Sequence, residues 1–255
     1  MQQVSNNIRK TVRSLAEAKH RRAAGLFVAE GTKCVLDTIG TFSTAMLLAT
    51  PQWFAEHGRQ GLSDDILYEA SRADLERMST LTTPPHVIAV YRIPTASVLP
   101  DPAKELVVAL DRVQDPGNLG TIIRVCDWMG AHNILASTDT VDVWNPKVVQ
   151  ATMGSISRVR VTYTDLPAAL AQARAEGVPV YGTFLDGTDM YDTGLSENGI
   201  IVMGNEGRGI GEAAAASVSH RLYIPPFPAG ADTAESLNVS VATAIILAEF
   251  RRRAR

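Results

Sequence analysis

The residues best suited to chemistry lie in the last fifty or so positions. A short apolar run, Ile200-Ile201-Val202-Met203, ends abruptly in Gly204-Asn205-Glu206-Gly207-Arg208-Gly209-Ile210-Gly211. A buried strand that breaks into glycines brings bare backbone amides and carbonyls to a strand end, where no side chain shields them from a ligand. Spacing excludes two nucleotide motifs. A dinucleotide fingerprint needs G-x-G-x-x-G; Gly207 and Gly209 fill its first two places, but Glu212 stands at the third. A phosphate-binding P-loop needs Lys and then Ser or Thr after its last glycine, and Gly209 is followed by Ile210-Gly211. A plain turn before a helix fits the cluster equally well. Glu206, Ser236 and Asn238 are polar groups set among glycines and apolar residues. Burial without partners would cost each roughly 1–3 kcal/mol, so a network or a ligand must engage them. For Ser236 and Asn238 the competing reading is helix capping, since S-x-N before an apolar helix is a start signal.

Combination adds what the single cluster lacks. G-N-E-G-R-G-I-G, then I-P-P-F, then A-E-S-L-N-V-S-V-A-T-A resembles the second and third motifs of the SpoU/TrmH family, within the SPOUT superfamily. The family's first motif has an Asn and an Arg six residues apart at a helix start, and Asp115-Pro116-Gly117-Asn118-Leu119-Gly120-Thr121-Ile122-Ile123-Arg124 supplies it. The resemblance implies an enzyme that moves a methyl group from S-adenosylmethionine to a ribose 2′-hydroxyl of RNA. It implies a catalytic constellation of Asn118, Arg124, Glu206, Ser236 and Asn238, with Thr183, Gly204, Ile224 and Leu237 holding the cofactor. A deep trefoil knot at the C-terminal end is implied by the resemblance alone. A guanidinium is effectively always protonated and is a poor general base. Some family mechanisms nonetheless assign the matching arginine to proton removal, whereas a phosphate clamp or a stabiliser of the developing alkoxide is physically easier to defend. Arg124 is expected to be essential in any of these roles, in its own subunit's site or its partner's.

Other readings compete. Ribosomal RNA is favoured over transfer RNA as the substrate, on the strength of a small N-terminal domain. A tRNA 2′-O-methyltransferase, a base methyltransferase and a non-catalytic RNA-binding protein that keeps the fold are the alternatives. Intact Asn118, Arg124, Glu206, Ser236 and Asn238 argue against a retired site.

The elements that must position these residues follow from the rest of the chain. Its 255 residues are 45% hydrophobic and 20% charged, enough for a folded core over one large or two small domains. No apolar run approaches the roughly 18 residues that span a bilayer, and the N-terminus has no secretory apolar region. Cys34 and Cys126 lie far apart inside apolar helical patterns, as buried thiols of a reducing cytoplasm do, and fit neither a metal site nor a disulfide framework. The net charge of −3 hides a concentration: Arg9 to Lys33 carries seven basic groups against Glu17 and Glu30, and the chain ends R-R-R-A-R. An acidic chain binds RNA if its positive charge gathers on one face.

Periodicity predicts one helix over Asn6–Arg22, with Ile8, Val12, Leu15 and Ala16 as its apolar stripe. Arg9, Lys10, Arg13, Lys19, Arg21 and Arg22 lie off that stripe and are the candidate phosphate contacts; a merely solvated face is the alternative. The stretch through G-L-F-V-A-E-G also resembles the small α/β RNA-binding domain that precedes the catalytic domain in many of these enzymes. Strands at 45–49, 66–70 and 87–91 alternate with helices, giving domain one over residues 1–94. Three prolines within 94–102 mark a linker, 95–104. From 105 to 255, continuous apolar strands alternating with helices predict a parallel sheet covered on both faces, an α/β fold. The final helix, Val239–Phe250, is apolar nearly all round, and a second subunit is the economical cover for it.

Overall fold

The computed structural model describes residues 1–95, 99–228 and 234–254, so positions 96–98 of the expected linker lie outside the described residues. In chain order the elements begin with β1 (Gln2–Gln3), α1 (Asn6–Ser14), α2 (Ala18–Ala24), β2 (Leu26–Glu30), α3 (Thr32–Thr38), β3 (Thr44–Ala49) and α4 (Pro51–His57). There follow β4 (Leu67–Glu69), α5 (Arg72–Met78), β5 (Val87–Arg92), β6 (Leu106–Leu110), α6 (Pro116–Trp128), β7 (Asn133–Ser137) and α7 (Pro146–Ala151). The chain finishes with β8 (Arg160–Thr164), α8 (Leu166–Ala175), β9 (Val180–Asp189), β10 (Gly199–Met203), α9 (Glu212–Ala215), β11 (His220–Tyr223) and α10 (Val239–Arg253). Two compact units result. One holds Met1–Ala96 with Asp142–Ser157, the other Ser97–Val141 with Arg158–Arg255.

The first unit is built on a mixed sheet in the order β1-β4-β3-β5-β2. Val12, Leu15, Val28, Leu48, Leu75, Ile88 and Val90 form its core on one face. Its helices start at legible caps: Ser5 accepts from the Ile8 amide, and Ser71 and Asp74 form a reciprocal capping box. The single helix expected over Asn6–Arg22 is broken into α1 and α2. Leu15 is fully buried at the break, and the Arg21 guanidinium folds back to donate to the Leu15 and Ala16 carbonyls, both at 2.9 Å. Those carbonyls lose their helical partners there, and Arg21 supplies replacements. The stretch Asp142–Ser157, which strand–helix alternation assigns to the second domain, belongs to this unit. Trp144 packs 4.4 Å from the Phe27 ring centroid, and Asp142 accepts from Arg21 at 2.6 Å.

The second unit is an all-parallel six-stranded sheet in the order β11-β9-β10-β6-β7-β8. Its central strands, β6 and β10, are buried at every position, as continuous apolar runs require when both faces are covered. They end together, with Met203 in register with Leu110 and the Asp111 amide donating to the Met203 carbonyl at 2.9 Å. β9 runs on past Thr183 to Asp189. Gly182 pairs with Arg221 and Thr188 with Leu222, so residues 183–187 are thrown out of register as a bulge. α10 packs along α6. It is not buried on every side: Val241 is 48% exposed and Ala248 is exposed, so an apolar strip of α10 faces outward.

Candidate functional site

The site lies where β6 and β10 end, at the carboxyl edge where ligands of parallel α/β sheets bind. After β10 the chain cannot carry a side chain: a Cβ on Gly204 would stand 2.2 Å from the Gly209 carbonyl carbon and 2.3 Å from the Ile210 nitrogen. Asn205 and Gly209 exchange backbone hydrogen bonds at 3.0 and 2.9 Å, closing the loop on itself. The Asn205 side chain accepts from the Gly207 and Arg208 amides and donates to the Arg112 carbonyl at 2.8 Å. Asp111, buried at the end of β6, accepts from the Gly211 amide at 2.6 Å and so ties the loop's far side to the neighbouring strand.

After β6, Arg112 adopts φ 60, a left-handed conformation that costs a non-glycine residue about 1–2 kcal/mol. It is held there by its amide on Ser137 Oγ and its carbonyl on Asn205 Nδ2. Asp115 then caps α6, accepting from the Asn118 amide at 2.8 Å, and Pro116 occupies the first helical position.

This scaffold brings three of the expected residues together. Asn118 Nδ2 donates to Glu206 Oε1 at 3.0 Å, and Asn238 Nδ2 donates to Asn118 Oδ1 at 2.9 Å. Asn238 Oδ1 accepts from the Ser240 amide at 2.9 Å and the Ser240 hydroxyl at 2.6 Å, which turns its amide nitrogen towards Asn118. Glu206 also accepts from Asn205 Nδ2 at 3.2 Å and from the Asp115 amide at 3.4 Å. Every donor in the chain Ser240–Asn238–Asn118 therefore points towards one carboxylate, which can only accept. Capping and networking are both true of Asn238, which is the N-cap of α10.

Two of the expected catalytic residues stand apart from this network. Ser236 is exposed and, among the described residues, makes no hydrogen bond to it. Arg124 is exposed on the outward face of α6, with Thr121 one turn before it and the 88%-exposed Trp128 one turn after. Of the four expected cofactor residues, Gly204 directly follows β10, and Thr183 follows the Gly182–Val202 register pair on adjacent β9. Leu237 is 50% exposed beside Asn238, and half-buried Ile224 follows β11. Asn205, Asp111 and Ser240 were not singled out from the sequence. Asn205 carried a signal, as the amide side chain inside a glycine turn.

The basic residues of α1 and α2 divide. Arg21 is 1% exposed and ion-paired to Asp142, so it cannot meet a phosphate, and the expectation for it is overturned. Arg9 is engaged by Asp74 and Asn6, and Arg13 donates to the Ser79 carbonyl, so their guanidiniums are largely spent within the fold. Lys10, Lys19 and Arg22 are exposed, with Lys19 salt-bridged to Glu17.

Known proteins resemble the chain along most of its length. Residues 105–248 match the family model described as the SpoU rRNA Methylase family, and residues 6–89 match that of the MRM3-like substrate binding domain. A Bacillus subtilis 23S rRNA (guanosine(2553)-2′-O)-methyltransferase is 34% identical over 185 residues, covering 72% of each chain. A solved TrmH-family protein from Porphyromonas gingivalis superposes with a TM-score of 0.87 at 41% identity, covering 98% of this chain and 99% of that one. An S-adenosylmethionine-bound rRNA methyltransferase from Sinorhizobium meliloti gives 0.84 at 31% identity, covering 100% and 98%.

Proposed function

The chain belongs to the SpoU rRNA methylase family, and from that premise we propose that it methylates a ribose 2′-hydroxyl of ribosomal RNA. The observation that carries the proposal is the hydrogen-bonded set Asn118–Glu206–Asn238, drawn from three separated stretches of chain to one sheet edge. S-adenosylmethionine supplies a methyl group already activated on a positively charged sulfur. The residues present suit it: half-buried Thr183 and Ile224 and the partly exposed Leu237 offer amides, carbonyls and apolar faces for a flat, weakly polar adenine, while the missing Cβ at Gly204 lets the loop that carries Glu206 close on itself. A C-terminal trefoil knot around this loop is part of the same reading.

In the reaction the chain's own groups position and stabilise. Glu206 already accepts from three donors, so its part is to fix the Asn118 amide and, through it, the asparagine pair that would orient the substrate. Arg124 faces away from that network and is suited to clamp a phosphate of the RNA bound at a second subunit's site. A homodimer accounts for the outward strip. Trp128 on α6 and Val241 and Ala248 on α10 are exposed apolar side chains on two packed helices, and two-fold pairing would cover both. Lys10, Lys19 and Arg22 are the remaining candidates for phosphate contact in the first unit. No helix among the described residues is long and apolar enough to cross a membrane, and we place the activity in the cytoplasm, beside the ribosomal substrate.

The test is to incubate the purified protein with methyl-labelled cofactor and ribosomal or transfer RNA, then digest the product with alkali. Label retained in alkali-resistant dinucleotides from ribosomal RNA is the expected result, because a 2′-O-methyl blocks cleavage at its linkage. Label in mononucleotides would mean base methylation, and no label at all would point to an RNA-binding protein.

A further inference from the structure

Asn238 and Asn118 meet because two parallel helices are held in one axial register, and the residue that closes the far end of that pair is Arg251. It stands three positions beyond the family match. Its Nε donates to the Met129 carbonyl at 2.7 Å and its Nη2 to the Gly130 carbonyl at 2.9 Å. These acceptors lie at the C-terminus of α6, where carbonyls lack helical partners and the helix dipole favours a cation. Gly130 turns the chain there with φ 67. At the opposite end the tie is Asn238 Nδ2 on Asn118 Oδ1. Asn118 to Gly130 and Asn238 to Arg251 both span roughly 18–20 Å at about 1.5 Å per helical residue. Their near-equal length lets both ends be tied at once.

The other arginines of the last turn do something else. Arg252 and Arg253 grip Glu249, and Arg253 donates to the Met190 and Tyr191 carbonyls at 3.0 and 2.6 Å and to that of Thr193. Those bonds fix α10 to the chain after β9. Arg251 alone of the three reaches the end of α6.

We propose that Arg251 is a positioning residue for methyl transfer: it sets the axial register of α10 on α6, and through it the Asn238–Asn118–Glu206 alignment. This rests on the methyltransferase reading given above. An axial slip of about 1 Å would tilt and lengthen the 2.9 Å Asn238–Asn118 bond and so weaken it. Misplacement on that scale is worth up to about 10²-fold in rate.

The experiment uses the full chain and a double-mutant cycle. Arg251→Ala is expected to lower kcat about tenfold while cofactor Kd and RNA KM change less than twofold. Arg251→Lys, able to reach one carbonyl, should recover part of the loss. Added to Asn238→Ala, Arg251→Ala should cost less than a further twofold, because register no longer matters once the Asn238 amide is gone. Losses that multiply would overturn the proposal. So would a failure of lysine to restore turnover in a protein that folds. If the alanine variant does not fold, the lysine variant carries the cycle. The side-chain amide resonances of asparagine-labelled protein give a readout independent of activity: Asn238 should shift in Arg251→Ala and stay put in Arg252→Ala. If wild type transfers no methyl group, the function fails while this shift still decides the positioning. Unmoved Asn238 resonances in the Arg251 variant end it in either case.

Discussion

Gly204→Ala is the sharpest probe of the site, because the geometry sets its size. The added Cβ would stand 2.2 Å from the Gly209 carbonyl carbon, whereas ordinary contact begins at 3.4 Å. The obstacle is backbone on the other limb of a closed loop, so the loop must open by about 1.2 Å. Overpacking of this kind costs about 1–3 kcal/mol, which in a chain of this length lowers Tm by roughly 2–12 °C. The larger effect is on function. Opening the loop moves Glu206, whose Oε1 holds Asn118 at 3.0 Å, and a misplacement near 1 Å is worth about 10²-fold in rate.

The assay pairs thermal unfolding with single-turnover methylation of the RNA substrate, and Gly209→Asn serves as control. Gly209 has φ 66 and nothing within 4 Å of its Cβ position, and asparagine tolerates the left-handed region. Turnover within threefold of wild type is expected for that control, against about a hundredfold loss for Gly204→Ala. The reasoning is refuted if Gly204→Ala keeps both its Tm within a degree and its turnover within threefold. Equal losses in both variants would locate the effect in the whole loop, not in the close approach at Gly204.

Other outcomes follow from the same geometry. Arg21→Ala strands Asp142 and the Leu15 and Ala16 carbonyls, and should cost about 3–5 kcal/mol in urea unfolding while leaving the salt dependence of RNA binding unchanged. Neutralising Lys10, Lys19 and Arg22 together should leave stability nearly unchanged but flatten that salt dependence, by about 0.7–0.9 in log–log slope for each phosphate that the variant no longer neutralises. The Arg252 hydrogen bond holds the Glu249 carboxyl down at about 2, against an ordinary 4.5. Its stabilisation is full above about pH 4.5 and is lost as pH falls towards about 2, so the stability gap between wild type and Glu249→Gln should be flat near neutrality and close over that window. Mixed Arg124→Ala and Asn238→Ala proteins, each of low activity alone, should exceed the sum of their separate activities if the arginine serves a partner's site, and sedimentation should show Trp128→Glu to be monomeric.

Much of the second unit was legible because its signals are local. Apolar stretches expected as strands at 105–111, 133–136 and 200–203 form β6, β7 and β10 to within a residue at each end, and Asp115-Pro116 opens α6 as the dipeptide predicts. What escaped depends on partners distant in sequence. α1 and α2 share a helical pattern, and the break between them is stabilised by Arg21, whose ion-pair partner lies 121 residues away. Arg9 and Arg13 read as free cations until Asp74 and the Ser79 carbonyl, 65 and 66 residues on, are seen to engage them. At the site, residue types marked Asn118, Glu206 and Asn238. The direction of their hydrogen bonds was not legible, since Ser240 sets it by occupying Asn238 Oδ1. The burial of Asp142–Ser157 against the N-terminal unit rests on Trp144 meeting Phe27, a contact without a local pattern.

The six-residue interval between Asn118 and Arg124 fixes where the arginine can act. At about 100° per residue, six residues turn a helix through some 600°, leaving the two side chains about 120° apart around the axis. Asn118 is turned to Glu206 and Asn238, so Arg124 must point elsewhere, and it shares the exposed face with Thr121 and Trp128. No rotamer change reverses an angle set by the helix itself. A rigid α6, capped by Asp115 at one end and held by Arg251 at the other, therefore offers its amide to one surface and its guanidinium to another. The single chain completes the amide–carboxylate network unaided, while its arginine is presented outward between Thr121 and Trp128. On the dimer proposed above, such a charge would meet a phosphate of the RNA at the second subunit's site, and an apolar neighbour as exposed as Trp128 would be covered by that subunit.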